Sequence, residues 1–502
     1  MANESHTEVM DLTSCESEPL AHSGMIQPQG VFLAFGPQGR LAFCSDNAGS
    51  FFDMHDTADA MSLQDFFQDD IGYFRHREKR LPLTESVLIH NVLSNRGQTG
   101  DLWLSRQGEG SIAEYEQHAA DAAPAVGNMQ IQSRADEWPE GFDIEHCLAE
   151  IATLSGFAKV MLYKFLGDNS GEVVAEASDG RFEAYFGLRF PASDIPGIAR
   201  SLYASNPFRV IFDTNSVPVP IIRIDGKSGE PPSLEHSMLR SVSPVHIEYL
   251  HNMNVRASAS FPIMVLGKLW GLVALHSPVP TMIAPLARRA IAQICANKLS
   301  SALTDMHVKA GHRHFSARGH IVEAFTSALA LVMENDSFQP PADINQMIQH
   351  DGLLVFHGGR WVYNTGELSD DEASIFLKQF RRQAEAGVFA TNNINSLIEL
   401  SPAQREKASG ALYFRVGTDP AAMVEVIFLR AEKLVSVDWA GNPEKPVERV
   451  ENALRLSPRL SFEKYTVINE GRSEEWSVVD QMMVSKVQSG ILSSHNRSLG
   501  SR

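Results

Sequence analysis

A carboxylate, an aromatic ring and a guanidinium lie close together around one proline-rich segment. Pro191 and Pro196 fix their own backbone angles and push the residues before them toward extended conformations, so a helix can begin only after Pro196. The sequence therefore predicts a stiff turn that presents Asp194, then a short helix carrying Tyr203, with Arg209 just past its end. This combination suits a planar, charged ligand, although an ordinary loop with a capping aspartate has the same spacing.

Three later segments carry arginine, histidine, serine and tyrosine among apolar residues. They are residues 239–250 (LRSVSPVHIEYL), 269–276 (LWGLVALH) and 458–462 (PRLSF). Together with residues 190–200 (FPASDIPGIAR), they resemble the chromophore-pocket and hairpin motifs of the phytochromes, in the same order. Four motifs in register over most of the chain make this resemblance specific.

The resemblance implies an α+β fold with three tandem α+β sensor domains (PAS, GAF and PHY). Each would have a central antiparallel sheet, and long spine helices would join them. The implied division is an N-terminal extension at 1–24, PAS at 25–120, a linker at 121–141, GAF at 142–305, PHY at 306–480 with a tongue at about 437–476, and an output helix at 477–502. The alternation of short apolar runs with amphipathic stretches is typical of such domains.

The resemblance also implies a cofactor, the linear tetrapyrrole biliverdin. A lone cysteine near a chain terminus is usually an ordinary thiol. Here Cys15 resembles the bacterial phytochrome cysteine that forms a thioether with a vinyl group of biliverdin. Relatives that attach other bilins have a cysteine just before the pocket histidine, where this chain has Val245, which favours biliverdin. Gln29 stands where the family commonly has histidine.

The remaining pocket roles are likewise implied by resemblance. Arginines would bind the two propionates with help from serine hydroxyls, and hydrogen bonds to charged groups contribute about 1.5–3 kcal/mol each. Tyrosines would surround the D ring, one histidine would bond its carbonyl, and a second histidine and the aspartate backbone would meet the pyrrole nitrogens. The implied cofactor-binding set is Cys15, Tyr163, Asp194, Ile195, Tyr203, Arg209, Arg240, Ser243, His246, Tyr249, Ser258, Ser260 and His276.

The family's light response implies a switch. Isomerisation between the C and D rings would make Asp194 exchange Arg459 for Ser461 on the tongue, which would refold from hairpin to helix. The expected function is a red/far-red photoreceptor that works as a homodimer. It would signal to an output domain, a histidine kinase or diguanylate cyclase absent from this chain, or to a response regulator.

Hydrophobic periodicity places these residues on elements. A helix is predicted at 144–154, and a strand at 160–165 puts Met161 and Tyr163 on one face. An apolar stripe predicts a long helix from Ile283 to about His314, formed by Ile291, Ile294, Leu299, Leu303 and Met306. Stripes of this length usually bury against a partner helix, which favours a dimer.

Bulk properties restrict the partners. The chain has 502 residues, 43% of them hydrophobic, and a net charge of −18, which argues against nucleic acid. No apolar run reaches membrane-spanning length and the N-terminus is polar, so a cytoplasmic protein is expected. The four cysteines form no Cys-x-x-Cys pair, and the scattered cluster of His312, His314 and His320 does not favour a metal site.

Two other functions stay open. An enzyme is disfavoured, since Gly226-Lys227-Ser228 lacks the earlier glycine of a phosphate loop and neither a nucleophile elbow nor a kinase or cyclase signature occurs. The alternative is a light-insensitive GAF-type sensor for a cyclic nucleotide or haem. Absorbance with added biliverdin separates the two.

Overall fold

The computed structural model describes residues 20–55, 57–68, 86–118, 129–134, 138–224, 229–280, 286–335, 337–384, 387–417, 423–443, 447–450, 453–456 and 461–500. It divides into two units, one of residues 1–165, 171–302 and 439–465, the other of residues 166–170, 303–438 and 466–502. Helices combine with mainly antiparallel sheets in both units, so the predicted α+β fold class is confirmed.

The first unit begins with a seven-stranded antiparallel sheet in the order β1-β12-β3-β2-β6-β5-β4. Its strands and one short helix are β1 (Met25–Ile26), β2 (Val31–Phe35), β3 (Leu41–Ser45), α1 (Ala48–Phe51), β4 (Ser86–Leu93), β5 (Thr99–Gln107), β6 (Gly110–Gln117) and β12 (Val219–Arg223). Strand β12 lies far along the chain, yet it inserts between β1 and β3, with Met25 opposite Pro220 and Ile221 opposite Ser45. Nothing in the pattern of residues 219–223 indicates this insertion.

The second sheet of this unit has the order β11-β13-β14-β8-β9-β10, with β7 added beside β9. Its elements are β7 (Gln130–Ser133), α2 (Ile144–Ser155), β8 (Lys159–Phe165), β9 (Gly171–Ser178), β10 (Arg189–Phe190), α3 (Gly197–Ser205), β11 (Arg209–Ile211), α4 (Pro244–Asn252), β13 (Ala257–Val265) and β14 (Lys268–Ser277). Helix α2 begins where the Asp143 side chain accepts a bond from the His146 amide (2.8 Å) and ends at Gly156, whose φ is +71°. Strand β7 lies within the stretch predicted as a linker.

A long helix, α5 (Leu286–Asn335), continues well past the end predicted for it. No proline occurs within its span, and prolines 340 and 341 follow its end, so nothing in the backbone stops it earlier. Its 50 residues correspond to about 75 Å. The predicted stripe is partly wrong, because Leu299 and Leu303 are buried whereas Ile294 is 53% exposed.

The second unit contains a five-stranded antiparallel sheet in the order β16-β15-β19-β18-β17. Phe325 and Val332 of α5 pack on one face with Met483 and Val487, while Phe380 belongs to the core on the other face. Its further elements are α6 (Ile344–Met347), β15 (Gly352–His357), β16 (Arg360–Asn364), α7 (Asp370–Gln383), β17 (Val388–Thr391), α8 (Pro402–Arg405), β18 (Gly410–Val416), β19 (Val424–Arg430) and α9 (Val478–Gly500).

Arg430, at the end of β19, holds the start of the last helix of the second unit. Its guanidinium stacks on Trp476 at 3.9 Å from the ring centroid and donates to the Glu475 carbonyl (2.7 Å) and to Asp480 Oδ2 (3.3 Å). Asp480 also accepts the Ser477 amide in the first turn of α9. The strand that leads toward the tongue is thereby bonded to the helix that follows the tongue.

The predicted tongue contains four strands, β20 (Val435–Ala440), β21 (Val447–Val450), β22 (Ala453–Leu456) and β23 (Lys464–Asn469). Strands β21 and β22 form an antiparallel hairpin. In the first unit, Trp439 pairs in parallel with Arg189 of β10. None of the helices in the described part of the chain combines the length and apolar composition needed to cross a membrane.

Candidate functional site

A large pocket opens on the second sheet of the first unit, between β8, β13 and β14 on one side and α3 and α4 on the other. The apolar part of its wall includes Met161, Phe190, Ile211, Leu250 and Leu272. Every predicted cofactor-binding residue within the described part of the chain lines this pocket. These residues are Tyr163, Asp194, Ile195, Tyr203, Arg209, Arg240, Ser243, His246, Tyr249, Ser258, Ser260 and His276.

The proline-bracketed segment folds as predicted on one side of the pocket. Pro191 has φ −67° and ψ 155°, and one turn of 3-10 helix at Ala192–Asp194 follows it. Pro196 is extended (φ −64°, ψ 162°), and α3 begins at the next residue. The turn is closed by a bond from the Asp194 amide to the Pro191 carbonyl (3.0 Å). The prolines thus fix the direction in which Asp194 leaves the chain.

Two guanidinium groups form the cationic side of the pocket. The Nη2 atom of Arg209 donates to the carbonyls of Arg240 and Ser241, the latter at 3.0 Å. Its Nη1 atom is buried and has no hydrogen-bond partner among the described residues. Burial, followed by the neighbouring Arg240 guanidinium, lowers the pKa of Arg209. Two like charges lie close together here, and one buried N–H of Arg209 has no acceptor in the part of the chain that the structure describes. An anionic ligand group can therefore bind at this position.

Aromatic rings form another part of the pocket wall. The Tyr163 ring meets Phe165 and Phe190 edge-to-face, at centroid distances of 5.4 and 5.9 Å. The hydroxyl of Tyr203 lies 3.4 Å from Ser260 Oγ. Tyr249 packs edge-to-face against Phe462 of the tongue segment at 5.3 Å. Flat apolar surfaces with a polar tip suit a conjugated ring system that carries heteroatoms.

Two histidines face the same space and are neutral. Burial, followed by the charge of Arg209, lowers the pKa of His246 to about 4. Burial, and then the charge of Lys159, lowers the pKa of His276 to about 3. The Nδ1 atom of His276 is buried without a hydrogen-bond partner in the described structure. A neutral imidazole can donate or accept, so each ring can bond a carbonyl or N–H group of a ligand.

A buried ion pair behind His276 was missed by the sequence reasoning. Lys159 lies directly opposite His276 in the β8–β14 pairing and is fully buried. Its Nζ atom lies 3.2 Å from Glu176 Oε2 and 3.8 Å from the centre of the Tyr185 ring. Glu176 also accepts the Tyr185 amide at 2.8 Å. A lysine at the start of an apolar strand was the available signal, because a buried lysine needs a partner.

Two predicted residues, Cys15 and Arg459, fall outside the part of the chain that the structure describes. Ser461 is exposed in the tongue, with its Oγ 3.4 Å from the Glu463 amide, whereas the adjacent Phe462 is buried. Gln29, at the position where the family commonly has histidine, donates to Ser216 Oγ at 2.8 Å.

Comparisons with known proteins agree with the fold. Family models match at residues 144–303 ("GAF domain") and 316–499 ("Phytochrome region"). The chain is 30% identical over 506 residues to a bacteriophytochrome of Pseudomonas aeruginosa, covering 95% of this chain and 66% of that protein. It is 28% identical to a bacteriophytochrome of Xanthomonas campestris, covering 94% and 77%.

Solved structures give the same result. The phytochrome photosensory core module of Stigmatella aurantiaca superposes with a TM-score of 0.72 at 27% identity. The alignment covers 97% of this chain and 99% of that one. This chain spans about two thirds of the length of the Pseudomonas protein.

Proposed function

Because this chain belongs to the phytochrome family as a photosensory module of the bacteriophytochrome type, we propose that it is a red/far-red photoreceptor whose pocket binds biliverdin. The observation that carries the ligand assignment is the set of groups that one pocket brings together. Arg209 and Arg240 supply cationic donors, and His276 and tyrosine rings line the same cavity beside apolar side chains. A flat tetrapyrrole with two propionates has complementary groups.

The roles assigned to the pocket residues are those that the family resemblance implies, and the presence of their polar atoms in one pocket supports the assignment. Arg209 and Arg240 bind the propionates, with the hydroxyls of Ser243, Ser258 and Ser260 as further donors. His276 donates to the D-ring carbonyl. His246, through a water molecule, and the Asp194 backbone carbonyl face the pyrrole nitrogens. Ile195 closes the apolar wall.

Covalent attachment is assigned to Cys15. Its sulfur adds to one carbon of a ligand vinyl group, the thiol proton moves to the other vinyl carbon, and no oxidant is needed. Among the cysteines in the described part of the chain, Cys44, Cys147 and Cys295 are buried, and burial raises the pKa of each thiol. Those three are poor nucleophiles, which supports Cys15 as the attachment site.

A bound bilin would supply light absorption and a double bond between its C and D rings that can isomerise. Tyr163, Tyr203 and Tyr249 would surround the D ring, and Asp194 would exchange Arg459 for Ser461 on the tongue. The contact of Tyr249 with Phe462 supports this route, since a ring that moves Tyr249 disturbs the tongue directly. Breaking a shielded ion pair costs several kcal/mol, which is enough to reverse a two-state equilibrium.

The chain acts as a sensor without enzymatic activity of its own. We assign its output to a histidine kinase or diguanylate cyclase module, or to a separate response regulator. We assign homodimerisation to the long helix α5, whose Ile294 and Val308 side chains are exposed. These assignments, together with a cytoplasmic location, extend the function beyond the family membership itself.

Absorbance of the purified apoprotein with added biliverdin tests the proposal. The expected result is a far-red band that red light reshapes and that stays with the denatured wild-type protein. A Cys15→Ala protein should release the pigment on denaturation, whereas the matched control Cys44→Ala should retain it. Binding of haem or a cyclic nucleotide, with no response to biliverdin, would overturn the proposal in favour of a light-insensitive sensor.

A further inference from the structure

Glu114, on the first sheet, is a buried carboxylate that contacts the loop leading to Arg240 of the pocket. It lies on β6 and is 2% exposed. One of its oxygens accepts the Ser237 hydroxyl (2.5 Å) and the Leu239 amide (3.0 Å), and the other accepts the Met238 amide (2.8 Å). A backbone N–H can only donate, so these partners match an ionised carboxylate. Burial raises the pKa of Glu114, and the three bonds oppose that shift.

The three donors belong to the loop that immediately precedes Arg240. The Leu239 carbonyl accepts the Gln27 amide at 2.7 Å. The loop is therefore held both by Glu114 on β6 and by the residue that follows β1. Arg240 itself folds back to donate to the carbonyls of Leu234 (3.1 Å) and Glu235 (3.3 Å). The position of its guanidinium therefore depends on a short loop whose consecutive amides Glu114 fixes.

Charge gives Glu114 a second effect on the pocket. Arg240 is buried and Arg209 is partly buried, and their like charges repel one another, which opposes the folding of the ligand-free site. The charge of Glu114 acts on both arginines with the opposite sign and stabilises their cationic forms. In this way the pair stays assembled before an anionic ligand arrives.

We propose that Glu114 is a positioning residue for the carboxylates of the ligand. It fixes the loop that precedes Arg240, and its charge offsets the charge of the arginine pair. This inference rests on the proposed bilin-binding function and adds a residue from outside the pocket domain. Glu114 does not line the pocket, so its effect passes through Arg240.

The test compares biliverdin with its dimethyl ester, which has the same ring system without carboxylate charges. In Glu114→Gln one oxygen is replaced by an NH2 group, which faces an amide N–H and cannot accept from it. The expected result is binding of biliverdin weakened tenfold or more, with the ester affected less than threefold, because a bond to a charged group is lost only for the diacid. Fluorescence quenching titrations of the apoproteins, each carrying Cys15→Ala so that binding stays reversible, measure both affinities.

Ser237→Ala is the milder variant, because it removes one bond to Glu114 and leaves both amide bonds in place. Ser237 also lines the pocket, so a lost direct contact with the ring system would weaken both ligands alike. The effect through Arg240 should instead weaken biliverdin two- to fivefold and the ester less than twofold, so the proposal stays testable if Glu114→Gln does not fold. Equal losses for the two ligands would show a general folding role and overturn the inference, as would unchanged binding of both. Failure of the wild-type protein to bind either ligand would instead refute the proposed function.

Discussion

Gly171 is the position at which one added methyl group tests the geometry of the pocket. A Cβ atom built on Gly171 lies 1.9 Å from Tyr163 Cζ and 2.1 Å from its hydroxyl oxygen. Carbon atoms in contact lie about 3.5–4.0 Å apart, so Gly171→Ala requires the ring to move by roughly 1.5 Å or more. The Tyr163 ring is buried against Phe165 and Phe190 and cannot move freely. It must shift away from β9, toward the cavity.

Overpacking of this kind costs about 1–3 kcal/mol. We expect the Gly171→Ala apoprotein to lose that much unfolding free energy in urea. With biliverdin bound, a ring pushed into the cavity leaves less room for the D ring to turn, so the photoconversion yield should fall. Both effects come from one steric contact and should appear together.

Gly167, in the loop that joins β8 to β9, is the matched control. A Cβ at Gly167 meets no atom within 4 Å, and its φ is not positive. Gly167→Ala should therefore leave the unfolding free energy and the photoconversion yield at wild-type values. If the two variants behave alike, the placement of Tyr163 against β9 and the assignment of its ring to the D-ring side are both refuted.

Three further predictions concern buried charge. The pKa of His276 is about 3 in the folded protein and 6.5 in the unfolded chain, so protonation favours unfolding and stability falls as pH drops below 6.5. Between pH 7 and pH 5 the apoprotein should lose about 2 kcal/mol of unfolding free energy through this group. Urea titrations of His276→Gln should lack that loss. Lys159→Met leaves the Glu176 charge buried without the ammonium and should cost about 3–5 kcal/mol, whereas adding Glu176→Gln should recover much of it in a thermal double-mutant cycle; additive losses would contradict the pairing. Arg430→Met should speed amide hydrogen exchange in the first turn of α9, while the exposed Arg382→Met should not, and equal exchange in the two variants would show that Arg430 does not hold that helix.

Local chemistry in the sequence predicted two parts of the pocket, and the family resemblance implied the rest. Prolines have the same effect on the backbone in every fold, so the turn at Asp194 and the start of α3 could be predicted from Pro191 and Pro196. Strand alternation placed Met161 and Tyr163 on one face, and both line the pocket. Predictions made from the nearest neighbours along the chain agree with the structure here.

Long-range pairing could not be predicted in this way. Strand β12 has an ordinary strand pattern, and nothing in Val219–Arg223 indicates that it joins a sheet formed nearly 200 residues earlier. Glu114 and Lys159 lie on strands where a charged residue usually marks a solvent-facing position. Their burial depends on partners that only the folded chain supplies, namely the amides of residues 238 and 239 for Glu114 and the carboxylate of Glu176 for Lys159.

The buried charges around the pocket indicate which contacts a turned D ring would displace most easily. Glu114 fixes the loop of Arg240, and behind His276 the ammonium of Lys159 is held by Glu176. Moving any of these groups would separate buried charges from their partners, at several kcal/mol each. Tyr249, by contrast, contacts the tongue through the ring of Phe462. Displacing one aromatic ring against another costs less free energy than separating a buried ion pair. A turned D ring should therefore displace the contact of Tyr249 with Phe462 before it displaces the Arg240 loop or the Lys159–Glu176 pair. That aromatic contact is then the route by which a change in the pocket reaches the tongue.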